Sequence, residues 1–112
     1  MRSYIFWGTH VEVYFKIRRV GREIVLAICD CELLGRTLRY GKISFHVDEK
    51  FYGDEKTAVV EAVAMISNAT IVNLVGKKVV EEAIQQGYVH PEAVLNIEGT
   101  PHALIVKIAH TS

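Results

Sequence analysis

Residues 11 to 20 read Val-Glu-Val-Tyr-Phe-Lys-Ile-Arg-Arg-Val, an alternation that fits a strand and little else. Val11, Val13, Phe15 and Ile17 fall on one face and Glu12, Tyr14, Lys16 and Arg18 on the other, the pattern of a half-buried strand. Gly21-Arg22 is a two-residue turn with glycine supplying the positive φ. The run Glu23 to Cys29 follows, apolar on both faces as a central strand must be. Val and Ile together supply 26 of the 112 residues, 15 plus 11, and there are two prolines. A load of β-branched side chains this heavy favours sheet on at least one side of the core.

The remaining elements follow from spacing. Asp30 to Gly41 reads as a long connection, with one helical turn at Cys31 to Leu34 closed by Gly35. Lys42 to Val47 alternates again and makes a third strand. Asp48 to Gly53 reads as a connection, and Asp54 as the N-cap of a helix from Glu55 to about Ser67 that buries Ala58, Val59, Ala62, Val63 and Ile66. Thr70 to Val75 suits a buried strand or a helix start, with strand favoured. Lys77 to Gln86 is helical and ends at Gly87. Pro91 opens a short turn, and Leu95 to Glu98 with the apolar run His102 to His110 reads as a closing hairpin. The expectation is an α+β fold: a mainly antiparallel sheet, built from an N-terminal hairpin, a third strand and a C-terminal hairpin, packed against two helices. Residues 11–112 form one domain behind an extension of residues 1–10.

No run approaches the roughly twenty apolar residues of a membrane-spanning helix, and Tyr4 to Trp7 is too short for a signal-peptide core. The reading is therefore cytoplasmic with no membrane partner, and with no G-x-S-x-G, H-E-x-x-H or phosphate-cradling glycine loop in the sequence no cofactor is expected. Net charge is zero but unevenly placed. Residues 1–47 carry eight Lys and Arg against four Asp and Glu, and residues 48–112 five against nine, giving +4 and −4. All six arginines lie in the first 39 residues.

That basic part holds the candidate binding residues. Tyr14, Lys16 and Arg18 share one strand face, Arg22 sits at the hairpin tip, and Arg36, Arg39 and Lys42 flank Tyr40. Cations with interleaved aromatics suit phosphate neutralisation and base stacking; the plain alternative is an ordinary solvated face. Cys29-Asp30-Cys31 invites a metal reading with His46 or His102, because thiolates at i and i+2 of a strand share a face. A single pair without C-x-x-C spacing makes this weak, and a free cysteine ending a central strand is commonly a small buried hydrophobe. Cys29 as nucleophile, His102 as base and Asp30 as orienting group would make a small hydrolase, although nothing in the spacing forces them together. His102 otherwise serves to fix the last hairpin through a hydrogen bond to backbone. Asn73 lies in an apolar run, and an internal hydrogen bond closing the turn before Gly76 is its structural reading. The backbone N–H groups at Gly76-Lys77-Lys78 would alternatively suit a phosphate.

Several phrases, taken in order, resemble an archaeal family of about hundred-residue proteins known only as a domain of unknown function. They are Ala27-Ile28-Cys29-Asp30 with Glu32-Leu33-Leu34-Gly35-Arg36, Phe51-Tyr52-Gly53, Ala69 to Gly76, and Gly99-Thr100-Pro101-His102-Ala103. Met1 to His10, a short stretch after Gly53 and Cys31 stand outside the likeness. The resemblance implies an archaeal cytosolic protein and carries no functional residue with it. The sequence thus reads as a non-enzymatic binding module for RNA, a ribonucleoprotein or another protein, possible as a homo-oligomer, with the cysteine hydrolase as alternative.

Overall fold

A computed structural model describes residues 11–108. Its main body is a six-stranded sheet in the order β5-β1-β2-β6-β8-β7. The strands are β1 (Glu12–Val20), β2 (Glu23–Asp30), β5 (Glu55–Ala58), β6 (Ile71–Val75), β7 (Leu95–Ile97) and β8 (Thr100–Val106). Only β2 and β6 run parallel; every other pairing is antiparallel. Two further strands, β3 (Thr37–Tyr40) and β4 (Ile43–His46), form a separate hairpin. The helices are α1 (Glu49–Tyr52), α2 (Val59–Ala64), continued by a 3-10 turn at Met65–Asn68, and α3 (Lys77–Gln85). None is long and apolar enough to cross a membrane.

The larger core lies between one face of the sheet and α2 with α3. Val13, Leu26, Ile28, Val72 and Leu74 from the strands meet Val59, Val63, Ile66, Val79 and Ala83 from the helices, all fully buried. Each strand contributes alternate residues, so the opposite set points to the second face. There a smaller core forms, in which Leu38, Phe45, Val47 and Tyr52 cover Ala27, Cys29, Val75 and Ile97. The β3–β4 hairpin and α1 are thus a partial lid over the end of the sheet where β2 and β6 finish.

The α+β class, the N-terminal and closing hairpins, the strand at 70–75 and the helix ending near Gly87 agree with expectation. Four local readings are corrected. The residues after Asp54 do not begin a helix: Glu55–Ala58 pairs with Glu12 to Phe15 as an edge strand, because the backbone groups of β1 need partners there. Gly53 brings the chain in, with φ 115° and its α-carbon so close to the Phe15 carbonyl that a Cβ would lie 2.3 Å from it. The acidic cap is Asp48, which accepts from the Lys50 N–H at 2.9 Å to start α1 within the expected connection. The long connection also contains β3, whose single buried residue, Leu38, left too faint an alternation to read. Finally, the third strand joins this hairpin and not the main sheet. The extension of residues 1–10 and His110 lie outside the described residues.

Candidate functional site

The sheet register decides what the expected site residues can do together. One cross-strand row runs Tyr14, Cys29, Val75, His102, Leu95. Cys29 and His102 are therefore two strands apart with Val75 between them, roughly 10 Å at ordinary strand spacing. No proton can pass directly over that distance. Asp30 follows Cys29 in the strand and so points through the sheet to the helix side. The sheet thus separates the three candidate catalytic groups. Burial, followed by the neighbouring Asp30 charge, pushes the Cys29 thiol up to about 12, so it is a protonated core side chain at neutral pH.

Asp30 has a different partner. Its carboxylate accepts from the N–H of Lys78 at 2.9 Å and of Val79 at 3.0 Å, capping α3 from a strand 48 residues upstream. It is 1% exposed. Desolvation raises its pKa, opposed by those two backbone hydrogen bonds. Gly76 is the required neighbour, since a Cβ there would lie 2.3 Å from the Asp30 carboxyl carbon. The phosphate-binding reading of this helix start is answered internally, because a side chain of the same chain already occupies the N–H groups.

The metal reading is not assembled either. The strand ends at Asp30 and a 3-10 turn begins at Cys31, so the two thiols leave the i, i+2 alignment. Cys31 Sγ donates to the Glu12 carbonyl at 3.3 Å, and His46 Nδ1 lies 2.9 Å from Thr37 Oγ1. Among the described residues no three His, Cys, Asp or Glu side chains are grouped to hold an ion. His102 also departs from expectation. Its Nε2 is buried without a hydrogen bond, and its ring packs edge-on to Phe45 with centroids 5.3 Å apart. Desolvation lowers its pKa.

The basic residues divide among three places. Tyr14, Lys16 and Arg18 lie on β1 facing the second side of the sheet; Arg18 stacks over Phe51 at 4.5 Å and Lys56 sits 5.2 Å above the Tyr14 ring. Arg22 is in the β1–β2 turn at the far end. Arg36 precedes the β3–β4 hairpin, and Arg39, Tyr40 and Lys42 are on it. The Arg39 N–H donates to Glu98 at 3.0 Å, which ties the hairpin to the β7–β8 turn. Lys16 also lines a cleft of about 500 Å³ with Tyr14, Leu34, Glu49, Lys50 and Asp54, where both signs of charge are present.

What the sequence did not reveal is the half of the second face that the hairpin leaves open. Two cross-sheet rows lie there: Arg18, Val25, Ile71, Val106, and Lys16, Ala27, Asn73, Leu104. Val25 and Ile71 are half-buried, and Leu104 and Val106 are 57% and 56% exposed. The Asn73 side chain makes no hydrogen bond among the described residues, so it does not close a turn. Among the described residues neither Lys16 nor Arg18 has a carboxylate within ion-pair distance, and the ion pair present is Lys78 with Glu32 at 3.7 Å. The apolar run from His102 onward shows no such face, and the strand order that puts β8 in one row with β1 has no local signal.

Fold and site together define a small α+β domain that covers one sheet face with helices and half of the other with a hairpin. The chain belongs to a family described as protein of unknown function (DUF424), whose pattern matches residues 18–108. It is also similar to an uncharacterized conserved protein from Methanopyrus kandleri, whose crystal structure superposes with a TM-score of 0.75 at 24% identity, over 90% of this chain and 97% of that one. That likeness shows the fold, and it agrees with the archaeal resemblance read from the sequence phrases. A search of curated proteins finds no match.

Proposed function

We propose that the protein is a non-enzymatic binding module that docks an amphipathic segment of a partner protein on the open half of the sheet. The observation that carries this reading is the partly exposed pair of rows just described, in which Ala27 is covered by the lid while Leu104 and Val106 are not. Val25, Ile71, Leu104 and Val106, contributed by three strands, form the floor, and Lys16 with Arg18, whose guanidinium also lies over Phe51, forms a basic border. An apolar sheet face is ordinarily covered by another layer. Here the helices cover the first face and the hairpin covers only part of the second. A partner with an aliphatic stripe and acidic side chains along one flank matches both features, and the free amide of Asn73 suits a polar group at its centre. The floor also favours protein over RNA as ligand, because base stacking uses aromatic platforms and these positions are aliphatic.

The test uses a designed helical peptide with Leu at the i, i+3, i+4, i+7 positions and Glu flanking them, titrated into isotopically labelled protein. Amide shifts should concentrate at Val25, Ile71, Asn73 and Leu104, and affinity should fall as salt rises. Ile71→Lys, and separately the pair Lys16→Glu with Arg18→Glu, should each weaken binding at least about tenfold. Equal binding of a Lys-flanked peptide, or binding of a uridine homopolymer at this face with none of either peptide, would overturn the proposal.

A further inference from the structure

The outer edge of β8 carries a separate and more directional signal. The Gly76 N–H donates to the Pro101 carbonyl at 2.9 Å, and the Lys107 N–H donates to the Thr70 carbonyl at 2.8 Å. Odd-numbered positions of this strand therefore turn their backbone groups toward β6, and even-numbered positions turn theirs outward. His102 is covered by β7, whose pairing stops at Leu95 opposite it. Leu104 and Val106 then present two N–H and two C=O groups along an edge with no strand beside it among the described residues. Such an edge is usually blunted by charge, proline or a bulge. From His102 to Val106 there is no proline and no Asp, Glu, Lys or Arg. Leu104, Val106 and Ile108 are instead 57%, 56% and 78% exposed.

We infer that this edge pairs with the same edge of a second copy of the chain, antiparallel about a two-fold axis at Val106. The outward groups admit this register, and it covers more of the exposed aliphatic surface than its neighbour does. Centring the axis on Ile105 would pair only Leu104 with Val106, because the place opposite Ile108 is His102, already taken by β7. Centring it on Val106 sets Leu104 of each copy opposite Ile108 of the other, so that all three exposed aliphatic positions lie within the paired stretch. The contacts on that face are then aliphatic against aliphatic, and the outward N–H and C=O groups pair. Charge is compatible with the pairing as well. The chain is neutral overall, and the Lys107 ammonium is turned to the helix side, where it donates to the Ile66 carbonyl at 2.6 Å. Three aliphatic side chains burying on the order of 100 Å² each fall well below the ~800 Å² per partner of a standard interface, so the dimer is a weak, concentration-dependent one. It covers the Leu104 and Val106 border of the open face and leaves the Ile71 side free, and it is argued from the unpaired strand edge, so it does not rest on the docking proposal.

The experiment is cysteine cross-linking in a Cys31→Ser background, which leaves only the buried Cys29, with sedimentation of the unmodified chain alongside. Two hydrogen-bonded residues facing each other across an antiparallel pair lie about 5.5 Å apart at Cα, within disulfide range. Val106→Cys should therefore give a covalent dimer under mild oxidation, at least about tenfold faster than Leu104→Cys, which faces a different residue. Val106→Lys sets like charges opposite each other and should abolish the concentration-dependent rise in sedimentation while the circular dichroism stays unchanged. A monomer at the highest soluble concentration, or equal cross-linking at positions 104 and 106, overturns the inference.

Discussion

Asp30 illustrates how a residue that looks chemical can serve structure. A carboxylate beside a cysteine suggests catalysis, yet here it satisfies two N–H groups at the start of α3 that would otherwise be buried without partners. Asp30→Ala should cost about 2 to 4 kcal/mol in a denaturant titration, and Asp30→Asn, which keeps one acceptor, roughly half as much. Gly76→Ala should be at least as damaging as Asp30→Ala, since it combines a φ of 125° with a clash against the same carboxyl group. His102 gives the pH-dependent counterpart. Its pKa is lowered in the folded state from an ordinary 6.5, so the unfolded chain takes up a proton first as pH falls. Stability contributed by the neutral ring is present above pH 6.5 and is lost on acidification, levelling off below the depressed folded value. Thermal melts between about pH 7 and 5 should therefore show a steeper loss for the native chain than for His102→Gln, which carries no titrating ring.

At the scale of elements, the β3–β4 hairpin is the part least supported by its neighbours. Leu38 and Phe45 pack onto the second face, while Tyr40 and Ile43 at the tip are 48% and 67% exposed. The strands β2 and β6, by contrast, lie at the centre of the sheet with helices on one side. Hydrogen exchange should accordingly be at least about tenfold faster in the hairpin amides than at Leu26, Ile28 and Leu74, since local opening of the lid breaks fewer buried contacts than global unfolding. Leu38→Ala should widen that gap without abolishing the main sheet. Equal protection in both regions would show that the lid and the sheet open as one unit.

For the whole molecule, the N-terminal and closing hairpins, the central strand and the helix at Lys77–Gln85 were legible because each depends on an alternation, a turn or a helical spacing written into consecutive residues. The half-buried Val11 to Arg18 pattern and the Val79, Val80, Ala83 stripe are such local records, and the family phrases at Cys29-Asp30 and Leu74-Val75-Gly76 were visible as words. Their meaning was not, because Asp30 and Gly76 become neighbours only when β6 lies parallel to β2 and delivers α3 to the end of it. Glu55–Ala58 failed for the same reason: helical spacing is a local preference, and the need of β1 for a partner overrode it. The open face and the β8 edge belong to this second category. Sequence alone determined which residues alternate, where glycine permits a turn, and that sheet and helix combine in an α+β fold. The order β5-β1-β2-β6-β8-β7 decided that Lys16 and Leu104 share a row, that Cys29 and His102 do not meet, and that Leu104 and Val106 face outward. Strand order arises from pairing between distant segments, and no run of neighbouring residues encodes it.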